Sequence, residues 1–228
     1  MSYDTQALLH WSDDHLVVIN KPAGLRSIPD GYHSGLPHVR AVLEPLLGRL
    51  WIVHRLDKNT SGLMLLARSA VAHRELNIQF DESKIFKLYH AVIEGHPSWS
   101  KQHITLPLLK DGDRRHRTVI DHQRGKRAQT NIKVLTKGDK RTLVAAKPFT
   151  GRTHQIRAHL AAVGHPITGD RLYGDADNIF NGCLALHAKK LGITHPITSR
   201  ELQFEIPDPE DFKPLLRSPQ DQIKEEGP

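Results

Sequence analysis

Val53 to Phe80 reads VHRLDKNTSGLMLLARSAVAHRELNIQF, and three kinds of sequence follow one another within it. His54 to Ser61 is polar and mixes cations, one carboxylate and hydroxyls. Gly62 to Ala67 is short, continuous and apolar, the pattern of a buried strand. After Ser69, a favoured N-cap residue type, Ala72, Leu76 and Phe80 fall at helical spacing and predict an amphipathic helix. Loop, buried strand and surface helix in one segment point to an α+β chain.

The flanks extend this pattern. Upstream, HLVVIN (His15–Asn20) is an apolar run closed by Lys21-Pro22-Ala23-Gly24, whose Pro and Gly signal a turn. Arg26 to Pro37 reads as a loop, and His38 to Leu47 as a short helix disturbed by Pro45. Downstream, KLYHAVIE (Lys87–Glu94) predicts a strand. TNIKVLT and RTLVAAKPF predict a hairpin joined at Lys137-Gly138-Asp139-Lys140. In THQIRAHLAAVGHP, Ile156, Leu160 and Val163 share a helical face, Gly164 suits the C′ position, and Pro166 follows the stop. LALHAKKLGITH and ELQFEIP predict the last strands. The expected fold is therefore α+β, a mixed and mainly antiparallel sheet with flanking helices. One domain is expected over 1–217, with a two-lobed form as its variant, and a disordered polar tail over 218–228.

Composition narrows the function. The chain has 228 residues, 38% of them apolar, which suits a globular protein with a sizeable core. A net charge of +7 and a pI of about 9.6 favour polyanionic partners. The excess is local: Arg114, Arg115, Arg117, Arg124 and Lys126 crowd between Lys110 and Arg127, facing only Asp111, Asp113 and Asp121. That segment reads either as a solvated loop or as a phosphate-contacting arm. The single cysteine, Cys183, excludes an intrachain disulfide and a cysteine-based zinc site. The N-terminus lacks a signal-peptide pattern and no run is long enough to span a bilayer, so a soluble, cytoplasmic protein is expected.

Two polar clusters carry the candidate chemistry. Val53 to Gly62 places Asp57 between Arg55 and Lys58, with His54, Thr60 and Ser61 nearby. It reads either as a capped turn or as a catalytic loop. Gly151 to Arg157 holds Arg152, His154 and Arg157. If a helix begins near Thr153, His154 and Arg157 share a face. Cations at a helix start are electrostatically unfavourable by themselves, which hints at an anionic partner. Sixteen histidines raise the alternative of a metal-dependent hydrolase or nuclease. However, His154 and His159 would lie roughly 140° apart on a helix, and there is no HExxH. No metal site is expected. A non-catalytic RNA-binding module is the other alternative; it would keep the basic arm but has no use for Asp57.

HRLDKNTSGL (His54–Leu63) resembles the signature of the RluA-type pseudouridine synthases, in which the Asp is catalytic. INKPAG (Ile19–Gly24), KLYHAVIEG (Lys87–Gly95), GRTHQIRAHLAAVGHPITGDRLYG (Gly151–Gly174), LALHA (Leu184–Ala188) and FEIPDPEDF (Phe204–Phe212) resemble further family motifs in order. The resemblance implies an isomerase that needs no cofactor and a pseudouridine synthase fold with a central RNA-binding cleft. It implies Asp57, Tyr89 and Arg157 as active-site positions, with Arg157 binding the carboxylate. Arg55 would fill the space left by a flipped base, and His54 and Thr60 would support the loop. Arg152, His154, Arg114, Arg115, Arg117, Lys126 and Arg127 are the candidate RNA contacts, and Arg171 is either a further contact or a structural ion pair. Only about fourteen residues precede the first predicted strand, too few for the N-terminal RNA-binding domain of many relatives. The expected partner is structured RNA, tRNA (anticodon stem-loop) or 23S rRNA or both, bound by a monomer.

Overall fold

A computed structural model describes residues 3–29, 35–174 and 183–217. The chain starts with helix α1 (Thr5–Leu8), strands β1 (Leu9–Ser12) and β2 (Leu16–Lys21), and helix α2 (Val39–Leu47). Strands β3 (Trp51–Ile52) and β4 (Ser61–Ala67) and helix α3 (Ala70–Asp81) follow. Strands β5 (Phe86–Glu94), β6 (Lys101–Ile104), β7 (Leu108–Leu109), β8 (Val119–Ile120), β9 (Thr130–Lys137) and β10 (Arg141–Pro148) lead to helix α4 (Gln155–Ala162). Strands β11 (Leu186–Thr194) and β12 (Glu201–Glu205) and helix α5 (Phe212–Leu216) come last. The fold is α+β with a mixed, mainly antiparallel sheet. The chain forms two compact units, one from the residues up to Lys87 with Ala188–Ile206, the other from Leu88–His187 with the residues from Pro207. The tail expected over 218–228 and residues 30–34 of the predicted Arg26–Pro37 loop lie outside the described residues.

In the first unit, β2 and β4 pair antiparallel from Leu16↔Ala67 to Lys21↔Gly62. Leu16 to Ile19 and Leu63 to Ala67 are all buried, whichever way each side chain points. That two-sided burial explains why both runs read as continuous rather than alternating. Ser69 Oγ accepts from the Ala72 N–H at 3.2 Å and starts α3, whose Ala72 and Leu76 enter a core with Leu16, Leu65, Leu191 and Phe204. Pro45 sits inside α2 without ending it.

His54 ties the Asp57 loop to this core. Its Nε2 accepts from the Leu65 N–H at 2.9 Å, and its ring stacks on Phe80 with centroids 4.8 Å apart. Burial, helped by the Lys87 ammonium, holds the imidazole down to about 3, so it stays neutral. Gly62, at the exit of the loop, has φ +109°. A Cβ there would lie 2.5 Å from the Ala188 backbone nitrogen and oxygen, so glycine is required for two strands to approach this closely.

In the second unit, β5, β10, β9 and β6 lie side by side in antiparallel register, with Tyr89 opposite Ala146. The predicted β9–β10 hairpin is present and carries a bulge between Leu143 and Val144. Helix α4 sends Ile156 and Leu160 into a core with Ala91, Ile93, Val144 and Ala146, and Gly164 follows it at φ +84°. The basic segment 110–127 is no loose loop: β7 and β8 pair, and Lys126 and Leu108 exchange both backbone hydrogen bonds. Among the described residues no helix is long and apolar enough to cross a membrane.

Two outcomes are expected. Gly62→Ala should destabilise the protein by on the order of 3 kcal/mol, seen as a lower urea midpoint; an unchanged midpoint would show that the backbone there yields. The second concerns pH. His54 has a folded-state value below the ~6.5 of an unfolded histidine, so the unfolded chain takes up this proton first as pH falls. Its contribution is full above about pH 6.5 and is lost as pH falls toward 3. Gln at this position can still accept from Leu65 but does not titrate. Between about pH 7 and pH 4 the urea midpoint of His54→Gln should therefore fall less than that of the wild type; equal falls would remove His54 as a source of acid sensitivity.

Candidate active site

The loop carrying Asp57 is fixed through its backbone. Ser27 Oγ accepts from the Leu56 N–H at 3.0 Å and donates to the Leu56 carbonyl at 2.7 Å. Gly24 N–H donates to the Lys58 carbonyl at 2.8 Å, and Thr60 N–H to the Asp57 carbonyl at 3.1 Å. Beneath them lies Lys21, with 0% of its surface exposed. Its Nζ donates to the carbonyls of Pro22 (2.9 Å), Leu25 (2.9 Å) and Lys58 (3.2 Å). Both neighbours of Asp57 are thus pinned to the turn after β2, while Asp57 itself is half-buried. Burial pulls the Lys21 amine down to about 7, and the Asp57 carboxylate opposes that fall. Arg55 is exposed, and Thr60 is buried.

In the second unit, Tyr89 is half-buried on β5 and packs against the core that includes α4. Arg157, 8% exposed, forks onto Asp170: Nε to Oδ2 at 2.7 Å and Nη2 to Oδ1 at 2.8 Å. The Asp170 side chain has no exposed surface. Its Oδ1 also accepts from the Leu172 and Tyr173 N–H groups, at 3.0 and 3.2 Å. The Arg157 guanidinium lies over the Tyr173 ring, 5.2 Å from its centroid. Such a two-point fork fixes the plane of the guanidinium as well as its position.

His154 departs from expectation. The helix begins at Gln155 rather than near Thr153, and His154 is its N-cap with a left-handed backbone, φ 53°. It therefore shares no helical face with Arg157; its Nδ1 instead lies 3.1 Å from the Tyr173 hydroxyl. Gln155 organises the turn, its Oε1 accepting from the Arg152 N–H and the Thr150 hydroxyl while its Nε2 donates to Gln129 O and Thr130 Oγ1.

Several of the basic candidates are anchored, and most of them are exposed. Arg117 gives Nε to Asp113 at 2.7 Å and Nη1 to the Leu172 carbonyl at 2.9 Å. Arg115 reaches the Arg171 carbonyl at 3.1 Å, and Arg124 pairs with Asp121 at 3.0 Å. Arg152 donates to the Arg127 carbonyl at 3.1 Å, and Arg127 to Gln129 Oε1 at 3.2 Å. Arg114, Arg115, Lys126, Arg127, Arg152 and Arg171 are exposed. Sequence reasoning passed over Lys21, Asp170 and Tyr173. A lysine closing an apolar run just before Pro22 was the available signal for the first. For Asp170 and Tyr173 no pattern in the sequence marks the pairing.

The family model described as RNA pseudouridylate synthase matches residues 15–162. A dual-specificity RNA pseudouridine synthase RluA from Pasteurella multocida is 41% identical over 202 residues, 88% of this chain and 92% of that protein. The Escherichia coli protein of that name is 39% identical over 199 residues, covering 86% and 91%. A ribosomal large subunit pseudouridine synthase D from Zymomonas mobilis is 35% identical over 225 residues, covering 91% and 71%. Among solved structures, human RNA pseudouridylate synthase domain containing 1 superposes with a TM-score of 0.78 at 26% identity, covering 98% of this chain and 96% of that one. With its motifs, its sheet and these relatives in agreement, the chain belongs to the RNA pseudouridylate synthases, as an RluA-type isomerase that acts on RNA.

Proposed function

We propose that this enzyme converts a specific uridine to pseudouridine in the anticodon stem-loop of tRNA, in 23S rRNA, or in both, with Asp57 as the catalytic carboxylate. The observation that carries the reading is the backbone clamp around Asp57: a half-buried carboxylate whose two neighbours are both tied to the turn over Lys21. Holding a charged group in place before substrate arrives lowers the reorganisation that catalysis requires. The names of the relatives support the RNA classes. The enzyme acts in the cytoplasm as a monomer, from a single catalytic domain.

The reaction breaks the bond from uracil N1 to the ribose C1′, turns the base, and joins its C5 to the same carbon. The C5 proton leaves and N1 regains one, so atoms balance without a redox partner or activated donor. Asp57 acts either as nucleophile at C1′ or as base at the neighbouring carbon. The target is extruded from its stack at a cost of a few kcal/mol, with Arg55 filling the vacated space. Tyr89 and Arg157 are the other active-site positions carried by the motifs, Tyr89 stacking on the uracil with its hydroxyl near C5. The fork to Asp170 suits Arg157 to its assigned role, because a guanidinium held in one plane presents its remaining N–H groups in one direction. His54 and Thr60 support the loop, and Arg114, Arg115, Lys126, Arg127, Arg152 and His154 meet phosphate. Arg117 belongs with them through the segment it anchors.

Two substitutions test the roles, with pseudouridine mapped by carbodiimide labelling and primer extension on unmodified tRNA and rRNA transcripts. Asp57→Asn should bind RNA as the wild type does yet lose at least about 10³-fold in turnover; turnover near the wild-type rate would remove Asp57 from the mechanism. Arg157→Lys keeps the charge but not the fork, and should lower turnover at saturating RNA about 10-fold or more while changing RNA affinity less. Unchanged saturating turnover would refute the role given to Arg157.

A further inference from the structure

Tyr173 sits where three features of the second unit meet, beside the apolar contact of Leu108, Ala128 and Ala158 and the bond from His159 Nε2 to the Leu106 carbonyl. Its hydroxyl accepts from the Thr118 N–H at 2.9 Å and donates to the Thr118 carbonyl at 3.0 Å, gripping the chain just before β8. The same oxygen lies 3.1 Å from His154 Nδ1 at the N-cap of α4. Its ring carries two guanidinium groups, Arg117 of the basic hairpin at 5.9 Å and Arg157 of α4 at 5.2 Å. The turn holding Tyr173 is fixed in turn by Asp170, which accepts from its backbone N–H and forks Arg157. The hairpin is also fastened to this turn from its own side, Arg117 on the Leu172 carbonyl and Arg115 on the Arg171 carbonyl.

From this arrangement we infer that Tyr173 is a positioning residue, locking the basic β7–β8 hairpin to the start of α4 so that the hairpin's charges are already in place when RNA binds. The inference rests on the proposed reading of the hairpin as an RNA-contacting arm. A two-stranded ribbon of this size has little stability of its own, so its placement depends on what it is docked to. A docked ribbon presents Arg114 and Lys126 as a fixed pair of charges, whereas a loose one must be ordered by the RNA at an entropic cost. Burial raises the phenol above its usual range, so it remains a donor to Thr118 at working pH. A tyrosine that merely filled the core would need neither the reciprocal grip on one residue's N–H and carbonyl nor a cation on the ring from each of two elements.

The test is a double-mutant cycle on the full chain, reading both the Kd for an anticodon stem-loop RNA and kcat. Tyr173→Phe keeps the ring and both stacked guanidinium groups but removes the hydroxyl. It should weaken RNA binding about 10-fold while leaving kcat at saturating RNA within about 3-fold. Arg114→Ala with Lys126→Ala should weaken binding about 30-fold in the wild type but less than about 5-fold further in Tyr173→Phe, since an unlocked hairpin no longer uses those charges fully. Arg117→Lys, which loses the bond to Leu172 while keeping the charge, should reproduce the Kd effect if Tyr173→Phe does not fold. Independent, multiplicative losses, or an unchanged Kd in both single variants, would overturn the inference. Because Kd is read separately, an enzyme inactive on this RNA would refute the proposed substrate without touching the role of Tyr173.

Discussion

Taking a lysine ammonium out of water costs several kcal/mol unless its hydrogens are met by acceptors. Lys21 meets that condition with three backbone carbonyls, and one of them belongs to Lys58. An ammonium has three N–H donors and a neutral amine two, so three carbonyls facing one nitrogen favour the charged form against the burial that pulls the amine down to about 7. The segment around Asp57 closes over this cation, and the Asp57 carboxylate in turn offsets the burial of the amine. The backbone on either side of Asp57 is set by what lies under it.

The second unit solves a related problem with the opposite charge. Asp170 is fully enclosed, and its two oxygens serve Arg157 and the backbone of the turn at Leu172 and Tyr173. In each unit a buried ion organises a loop by taking main-chain groups as partners.

The strands built from continuous apolar runs were legible in the sequence because period and burial agree there: β2, β4 and β5 stand where HLVVIN, GLMLLA and KLYHAVIE place them. So was α3, because Ser69 announces its start, and so was the β9–β10 hairpin. The short strands β3, β7 and β8 were not, since two residues carry no period and their pairing is dictated from elsewhere in the chain. The left-handed His154 was equally hidden, because a residue inside a helix-like run gives no sign that a tyrosine nineteen positions later draws its ring away. The motifs marked the loop that bears Asp57; the cation beneath it emerged only when the turn after β2 was seen folded against Lys58.

The first unit is interrupted: its last strands come from Ala188 to Ile206, after nearly all of the second unit has been threaded. On a ribosome this imposes a delay. About 120 residues separate the end of β4 from the return of the chain, which at 5–20 residues per second is roughly 6 to 24 s. Until then the core lacks Leu191, Ile193, Phe204 and Ile206, and along the side where Gly62 will meet Ala188 β4 is paired only by the two residues of β3, at Leu66 and Ala67. The second unit in its turn waits for α5, whose Phe212 and Leu215 complete its core, while an apolar strand edge stands in the nascent chain, open to holding chaperones and to other growing chains.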